Sequence, residues 1–152
     1  MTERNKVLFL DIDGPMIPTR AACLSNSGIW CKFDPVAVRL INILLKETGA
    51  KIVISSSWRT SGVSYVSLAL ELNGIDSAHL HIDWMIGKRG DGVCSSSKGR
   101  AQKIKNWLGG HPEVTHYASL DDMYLEGVNN VQVSTSNGLM WEDYHKLLKA
   151  LS

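Results

Sequence analysis

Short uninterrupted apolar runs alternate along this chain with longer stretches in which apolar residues recur every three or four positions, and the short runs close on polar or acidic residues. Val7 to Leu10 is the first such run. Four residues are too few for a helix and read as a strand buried on both faces, the kind found inside a parallel sheet. Asp34-Pro35 then reads as an N-cap and first helical residue, and Val38, Ile41, Leu44 and Leu45 share one face until Thr48-Gly49 stops the helix. Lys51 to Ser55 follows as a second buried strand. A strand, a crossover helix and a strand in this order predict a right-handed βαβ unit with a parallel sheet.

The same punctuation continues. Val63 to Asn73 predicts a helix closed by Gly74, with Tyr65, Leu68, Ala69 and Leu72 as its apolar face. Leu80 to Ile86 is compatible with a short strand. Ser97-Lys98-Gly99-Arg100 opens a further helix in which Ala101, Ile104, Trp107 and Leu108 recur before Gly109-Gly110 ends it. Val114 to Leu120 reads as a third parallel strand ending in Asp121-Asp122. Asn130 to Ser134 predicts a last short strand, Asn137-Gly138 a turn, and Met140 to Leu151 a closing helix with Tyr144, Leu147, Leu148 and Leu151 as its buried stripe. Together these predict a single α/β domain over residues 1–152, with parallel strands at Val7–Leu10, Ile52–Ser55 and Thr115–Leu120 and the first near the sheet centre. Pro15 to Phe33 is longer than the usual connection and reads as a functional loop or a small flap, too short for a cap domain. Residues 75–97 are the least patterned part.

Composition changes this picture little. A chain of 152 residues is long enough for one substantial core, and 44% hydrophobic with 20% charged residues is ordinary for a soluble globular domain. The formal charge of +1 exerts no global pull on nucleic acid or anionic membrane, so polyanion binding has to come from a local patch. Cys23, Cys31 and Cys94 are odd in number and lack Cys-x-x-Cys spacing, which argues for free thiols. No run approaches membrane-spanning length, and the polar start Met1 to Lys6 predicts no signal peptide and a cytoplasmic protein.

Candidate chemistry gathers at the strand ends. Asp11 and Asp13 follow the first strand at its C-terminal edge, where open α/β sheets bind ligands, and strand alternation sends both carboxylates the same way before Gly14 turns the chain. Paired acids are costly unless a cation joins them, and Mg²⁺ suits such a site because it completes its shell with water and substrate phosphate. The second strand ends in Ser55-Ser56-Ser57-Trp58-Arg59, whose hydroxyl and N–H groups form a cradle for phosphate oxygens. Lys98 and Arg100 stand at a helix N-terminus against the macrodipole, so something anionic should offset them. Asp121 and Asp122 close the third parallel strand with a second acidic pair. His79 and His81 have metal-pair spacing but no third ligand at metal spacing.

These four motifs, in this order, resemble those of the haloacid dehalogenase (HAD) superfamily: Asp11-Ile12-Asp13-Gly14, the strand ending in Ser55, Lys98 before a Gly, and Asp121-Asp122 closing an apolar strand. Ile17 stands where the first motif carries Thr or Val. Lys98-Gly99-Arg100 through Trp107-Leu108, Tyr117 to Asp122, and Asn137-Gly138-Leu139 are similar to small capless HAD domains of RNA-repair proteins and phage hydrolases. The resemblance implies a three-layer, Rossmann-like domain with a central parallel sheet and no large cap. It implies a phosphatase in which Asp11 is the nucleophile, forming an aspartyl phosphate, and Asp13 the proton donor, the residue that the dehalogenase branch lacks. Ser55 and Ser56 would bind phosphate with Lys98, or with Arg100 as a close second, and Mg²⁺ would be held by Asp11, the Asp13 carbonyl, and Asp121 or Asp122.

An uncapped cleft predicts a large substrate, such as a phosphorylated nucleic-acid end, with a nucleotide as runner-up. Trp30, Trp58 and Trp84 with Arg59, Lys88 and Arg89 are candidates for a rim that stacks bases and follows a phosphate backbone, although core packing competes for each Trp. The rival from another class is a catalytically silent HAD fold that binds nucleotide or protein. Retention of Asp11, Asp13, Ser55, Lys98, Asp121 and Asp122 together favours the enzyme.

Overall fold

Val7, Leu8, Phe9 and Leu10 are all fully buried, because β1 (Asn5–Leu10) is the middle strand of a five-stranded sheet and has packed layers on both faces. This is seen in a computed structural model that describes residues 5–21, 32–58, 62–86 and 96–152. The other strands are β2 (Lys51–Ile54), β3 (Leu80–Met85), β4 (Val114–Asp121) and β5 (Asn130–Gln132). Their order is β3-β2-β1-β4-β5, and every pairing is parallel. Parallel strands need crossovers, which α1 (Pro35–Thr48), α2 (Val63–Leu72) and α3 (Ser97–Gly109) provide as far as β4; the helix-free segment 122–129 leads from β4 to β5, and α4 (Trp141–Leu151) closes the chain.

Strand alternation divides the core into two. Leu8 and Leu10 join Ile52 and Ile54 of β2 in a cluster with α1, α2 and α4. Val7, Phe9 and Val53 point the other way, to Ala101, Ile104 and Trp107 of α3. Phe9 meets the edge of Trp107 with ring centroids 5.3 Å apart. The result is the expected helix–sheet–helix arrangement with four helices around a parallel sheet.

One local expectation is corrected. The buried face of α2 is Val66, Ala69 and Leu70, whereas Tyr65, Leu68 and Leu72 are exposed. Apolar residues run almost all round this helix, so periodicity alone could not choose its inner face. Asp34 occupies the N-cap position of α1 but makes no capping bond; its buried carboxylate instead accepts from Arg20 Nη2 at 2.8 Å.

The link from β1 to α1 is tied down at its start. Met16 N and Ile17 N both donate to Ile12 O, and Leu139 N donates to Pro15 O at 3.0 Å. Thr19 N and Arg20 N reach the carbonyls of Thr135 and Ser136, so the segment between β5 and α4 clamps the loop that follows Asp13. At Gly138 the backbone has φ +70° and passes so close to Pro15 that a Cβ would lie 2.8 Å from its carbonyl oxygen. Only glycine satisfies both conditions. No helix among the described residues is long and apolar enough to cross a membrane.

Candidate active site

Parallel register brings the site together. Leu10 is level with Ile54 of β2 and Leu120 of β4, so the next residue of each strand, Asp11, Ser55 and Asp121, lies abreast at the C-terminal edge. Ladder bonds continue one step beyond Leu10: Asp11 N donates to Leu120 O at 3.0 Å, and Ser55 N to Leu10 O at 3.1 Å. These backbone ties fix the side chains on a rigid platform.

Asp11 and Asp121 are buried, Asp122 is half-buried, and one oxygen from each of the three lies within 4.8 Å of the others. Burial, followed by the neighbouring Asp121 carboxylate, pushes the Asp11 acid up to about 8 against the opposing pull of Arg100. Asp121 is also raised, chiefly by burial, with its Arg100 hydrogen bond opposing. Arg100 Nη1 donates to Asp121 Oδ2 at 2.7 Å and stands 3.3 Å from Asp11 Oδ2. Burial works against the charge of Arg100, but Asp11 and then Asp121 more than compensate and raise it.

One guanidinium therefore faces three clustered carboxylates. The deficit of positive charge and the all-oxygen donor set fit a hard divalent cation such as Mg²⁺, with Asp11, Asp121 and Asp122 as the residues able to hold it. Asp122 is braced from two sides. Its Oδ2 accepts from Thr135 Oγ1 at 3.0 Å, and its carbonyl accepts from Gln132 Nε2 at 3.3 Å. Gly14, with φ +102°, leaves room for this carboxylate: a Cβ there would lie 2.5 Å from Asp122 Oδ2.

Asp13 stands near the cluster, and its charge adds to the upward push on the Asp11 acid. Its exposed carboxylate accepts from the indole Nε1 of Trp58 at 2.9 Å and is not one of the three clustered acids.

Two buried donors beside the acids have no partner among the described residues: the Ser55 hydroxyl and Arg100 Nε. A buried polar group without a partner is costly, and an anionic oxygen would satisfy both kinds of donor. The Ser56 hydroxyl is already engaged, accepting from Trp58 N at 3.2 Å. Lys98 is exposed on the first turn of α3, and Arg100, two residues on, is the cation brought to the carboxylates. Trp84 is half-buried against the main core cluster, and Trp58 packs between Phe33 and Tyr65. Trp30, Arg59, Lys88 and Arg89 lie outside the described residues, as do all three cysteines. His81 is far from metal-pair duty: its Nδ1 accepts from Asp83 N, and its ring packs on Trp107 and His111.

Thr135 and Gln132 escaped the sequence reading as site residues, since it saw there only a short strand and a turn at Asn137-Gly138. The density of Ser, Thr and Asn over residues 134–137, more than a tight turn needs, was the available signal.

No curated protein and no solved structure matched the chain. A family model described as the HAD domain in Swiss Army Knife RNA repair proteins matches residues 7–144, from the first residues of β1 into α4. With that match spanning nearly the whole sequence, and with a parallel sheet that carries Asp11, Ser55 and Asp121 at one edge, met there by Arg100 from α3, the chain belongs to this HAD-domain family.

Proposed function

We propose that the protein is a Mg²⁺-dependent phosphatase that removes a terminal phosphate from a nucleic-acid end, working through an aspartyl phosphate on Asp11. The observation that carries this reading is the meeting, at one sheet edge, of a buried acidic cluster with a guanidinium and an unpartnered hydroxyl. Carboxylate and phosphate-binding groups are thereby held side by side.

In the first step a carboxylate oxygen of Asp11 attacks phosphorus, the ester P–O bond breaks, and the leaving oxygen takes a proton from Asp13. In the second, Asp13 takes a proton from water as that water attacks the phosphorus of the aspartyl phosphate, releasing phosphate and restoring Asp11. Ser55 Oγ and Arg100 bind the phosphoryl oxygens, over which charge is spread in the transition state. Arg100, rather than Lys98, takes this role because it already lies at the acids. Bound Mg²⁺ would offset the clustered negative charge, which keeps Asp11 ionised near neutral pH despite its burial.

The family description names RNA repair proteins, which favours a polynucleotide end over a metabolite. The test compares 3′- and 5′-phosphorylated oligonucleotides, mononucleotides and p-nitrophenyl phosphate, each with Mg²⁺ or with EDTA. Expected are Mg²⁺-dependent turnover, a higher kcat/KM for one of the oligonucleotides, and a fall in that value as salt rises. No Mg²⁺-dependent turnover of any ester, with binding of nucleotide retained, would replace the phosphatase with a silent binding module. Turnover without oligonucleotide preference or salt dependence would remove the nucleic-acid substrate alone.

A further inference from the structure

Asp13 is exposed, on a turn and not among the three clustered acids, yet near enough that its charge acts on Asp11. Its defined partner is Trp58, whose Nε1 donates to Oδ2 at 2.9 Å across 45 residues of sequence. The indole is itself firmly held. Its ring meets Phe33 at a centroid distance of 6.0 Å and Tyr65 at 5.8 Å, and its backbone N–H donates to Ser56 Oγ. Phe33 is buried and anchored in turn, its N–H donating to Asn73 Oδ1 at 2.8 Å.

We propose that Trp58 is a positioning residue for the proton-transfer chemistry of Asp13, holding one carboxylate oxygen so that the other faces the leaving group. The inference rests on the phosphatase reading. An indole N–H is a donor only, so Oδ2 accepts from it and Oδ1 becomes the oxygen that carries and returns the proton. A free aspartate on a turn would sample several rotamers, and each misplaced one loses proton transfer to the ester oxygen. This assigns Trp58 a task different from stacking a base: its ring packs on two aromatic neighbours and its polar edge faces the chemistry.

Leaving-group dependence provides the test. An alkoxide needs a proton to depart, whereas p-nitrophenolate leaves readily without one, so positioning of Asp13 matters for alkyl phosphates far more than for the aryl ester. With the full chain and Mg²⁺, Trp58→Phe should lower kcat/KM, which reports the leaving-group step and not the hydrolysis of the aspartyl phosphate shared by all esters, roughly ten-fold more for a primary alkyl phosphate than for p-nitrophenyl phosphate. Substituting the benzothienyl isostere, which keeps the bicyclic shape and replaces the N–H with sulfur, should give the same selective loss and separates the hydrogen bond from packing. In an Asp13→Asn background, Trp58→Phe should cost nothing further, because the two act as one unit.

A readout without turnover is the Trp58 indole N–H resonance in the metal-free protein, which Asp13→Asn should shift. Equal losses on both esters, additive effects in the double variant, or an unmoved indole resonance would each overturn the positioning role while leaving the phosphatase reading intact. If the unaltered chain hydrolyses neither ester, the phosphatase reading fails first and the inference falls with it.

Discussion

Asp11 and Asp121 come from adjacent parallel strands, lie within one cation's reach of each other, and share the Nη1 atom of Arg100 at 3.3 and 2.7 Å. Two buried carboxylates on one guanidinium, with Asp122 beside them, leave negative charge uncompensated where solvent can screen it little. The site is consequently a place where protonation, a metal ion and a phosphate compete, and its measurable behaviour follows from that competition.

Asp11→Asn should abolish turnover, with a loss on the order of 10⁴-fold or more, since the attacking oxygen is gone. The same change should leave the fold intact and raise the metal-free melting temperature at pH 8, because a neutral amide replaces an acid whose ionisation burial opposes. Steady-state assays and thermal melts check the two halves. Activity near that of the unaltered chain would eliminate Asp11 as nucleophile.

Arg100→Gln should lower kcat/KM by roughly 10²-fold, the scale of losing one preorganised transition-state donor, whereas Lys98→Ala should change it by less than about three-fold. Arg100 touches two of the acids, and Lys98, two residues earlier on α3, is exposed. Melting curves recorded with Mg²⁺ present separate a catalytic loss from unfolding. A larger loss at Lys98 would reverse the assignment of the phosphate-gripping cation.

Stability of the metal-free protein should fall as pH rises. The Asp11 acid is raised from 3.8 to about 8, so between those values the folded chain holds a proton that the unfolded chain has lost. Where the native state binds more protons, stability declines with increasing pH, and the raised Asp121 acid adds in the same direction. Mg²⁺ requires the deprotonated acids, so the rise in melting temperature that it produces should be larger at pH 8 than at pH 5. Scanning calorimetry with EDTA and with Mg²⁺ at the two pH values gives the comparison, and a Mg²⁺ effect independent of pH would count against the triad as the metal site.

Thr135→Val should raise the half-saturating Mg²⁺ concentration roughly ten-fold, as expected for losing a bond that orients a ligand. Gly14→Ala should act on the same carboxylate from the other side, since its Cβ displaces Asp122 Oδ2 and its φ of +102° adds strain of ~1–3 kcal/mol. Mg²⁺ titrations followed by melting temperature measure both variants. An unchanged titration in both would mean that Asp122 contributes little to metal binding.

Most of the fold was readable before the structure. β1 and β2 are short apolar runs because a central parallel strand is buried on both faces, β4 is longer, more polar and buried only in its second half, and α1, α3 and α4 carry apolar stripes because each has one buried face. The order of strand ends at Asp11, Ser55 and Asp121 was equally legible, since it follows from chain order alone. The inner face of α2 was not, because apolar residues surround that helix and only packing against α1 and β2 selects Val66 and Leu70. Nor was the task of Asp34, whose partner Arg20 precedes it by fourteen residues, at no spacing that a sequence pattern marks. The rotation of α3 that delivers Arg100 to the acids and leaves Lys98 exposed depends on how Ala101, Ile104 and Trp107 seat against Phe9 and Val53. Trp58 meets Asp13, and Thr135 meets Asp122, only after β2, β1, β4 and β5 have set their register. Burial periodicity is local and is written along the chain, whereas a hydrogen bond between distant side chains exists only once packed layers have fixed distance and direction to within a fraction of an ångström.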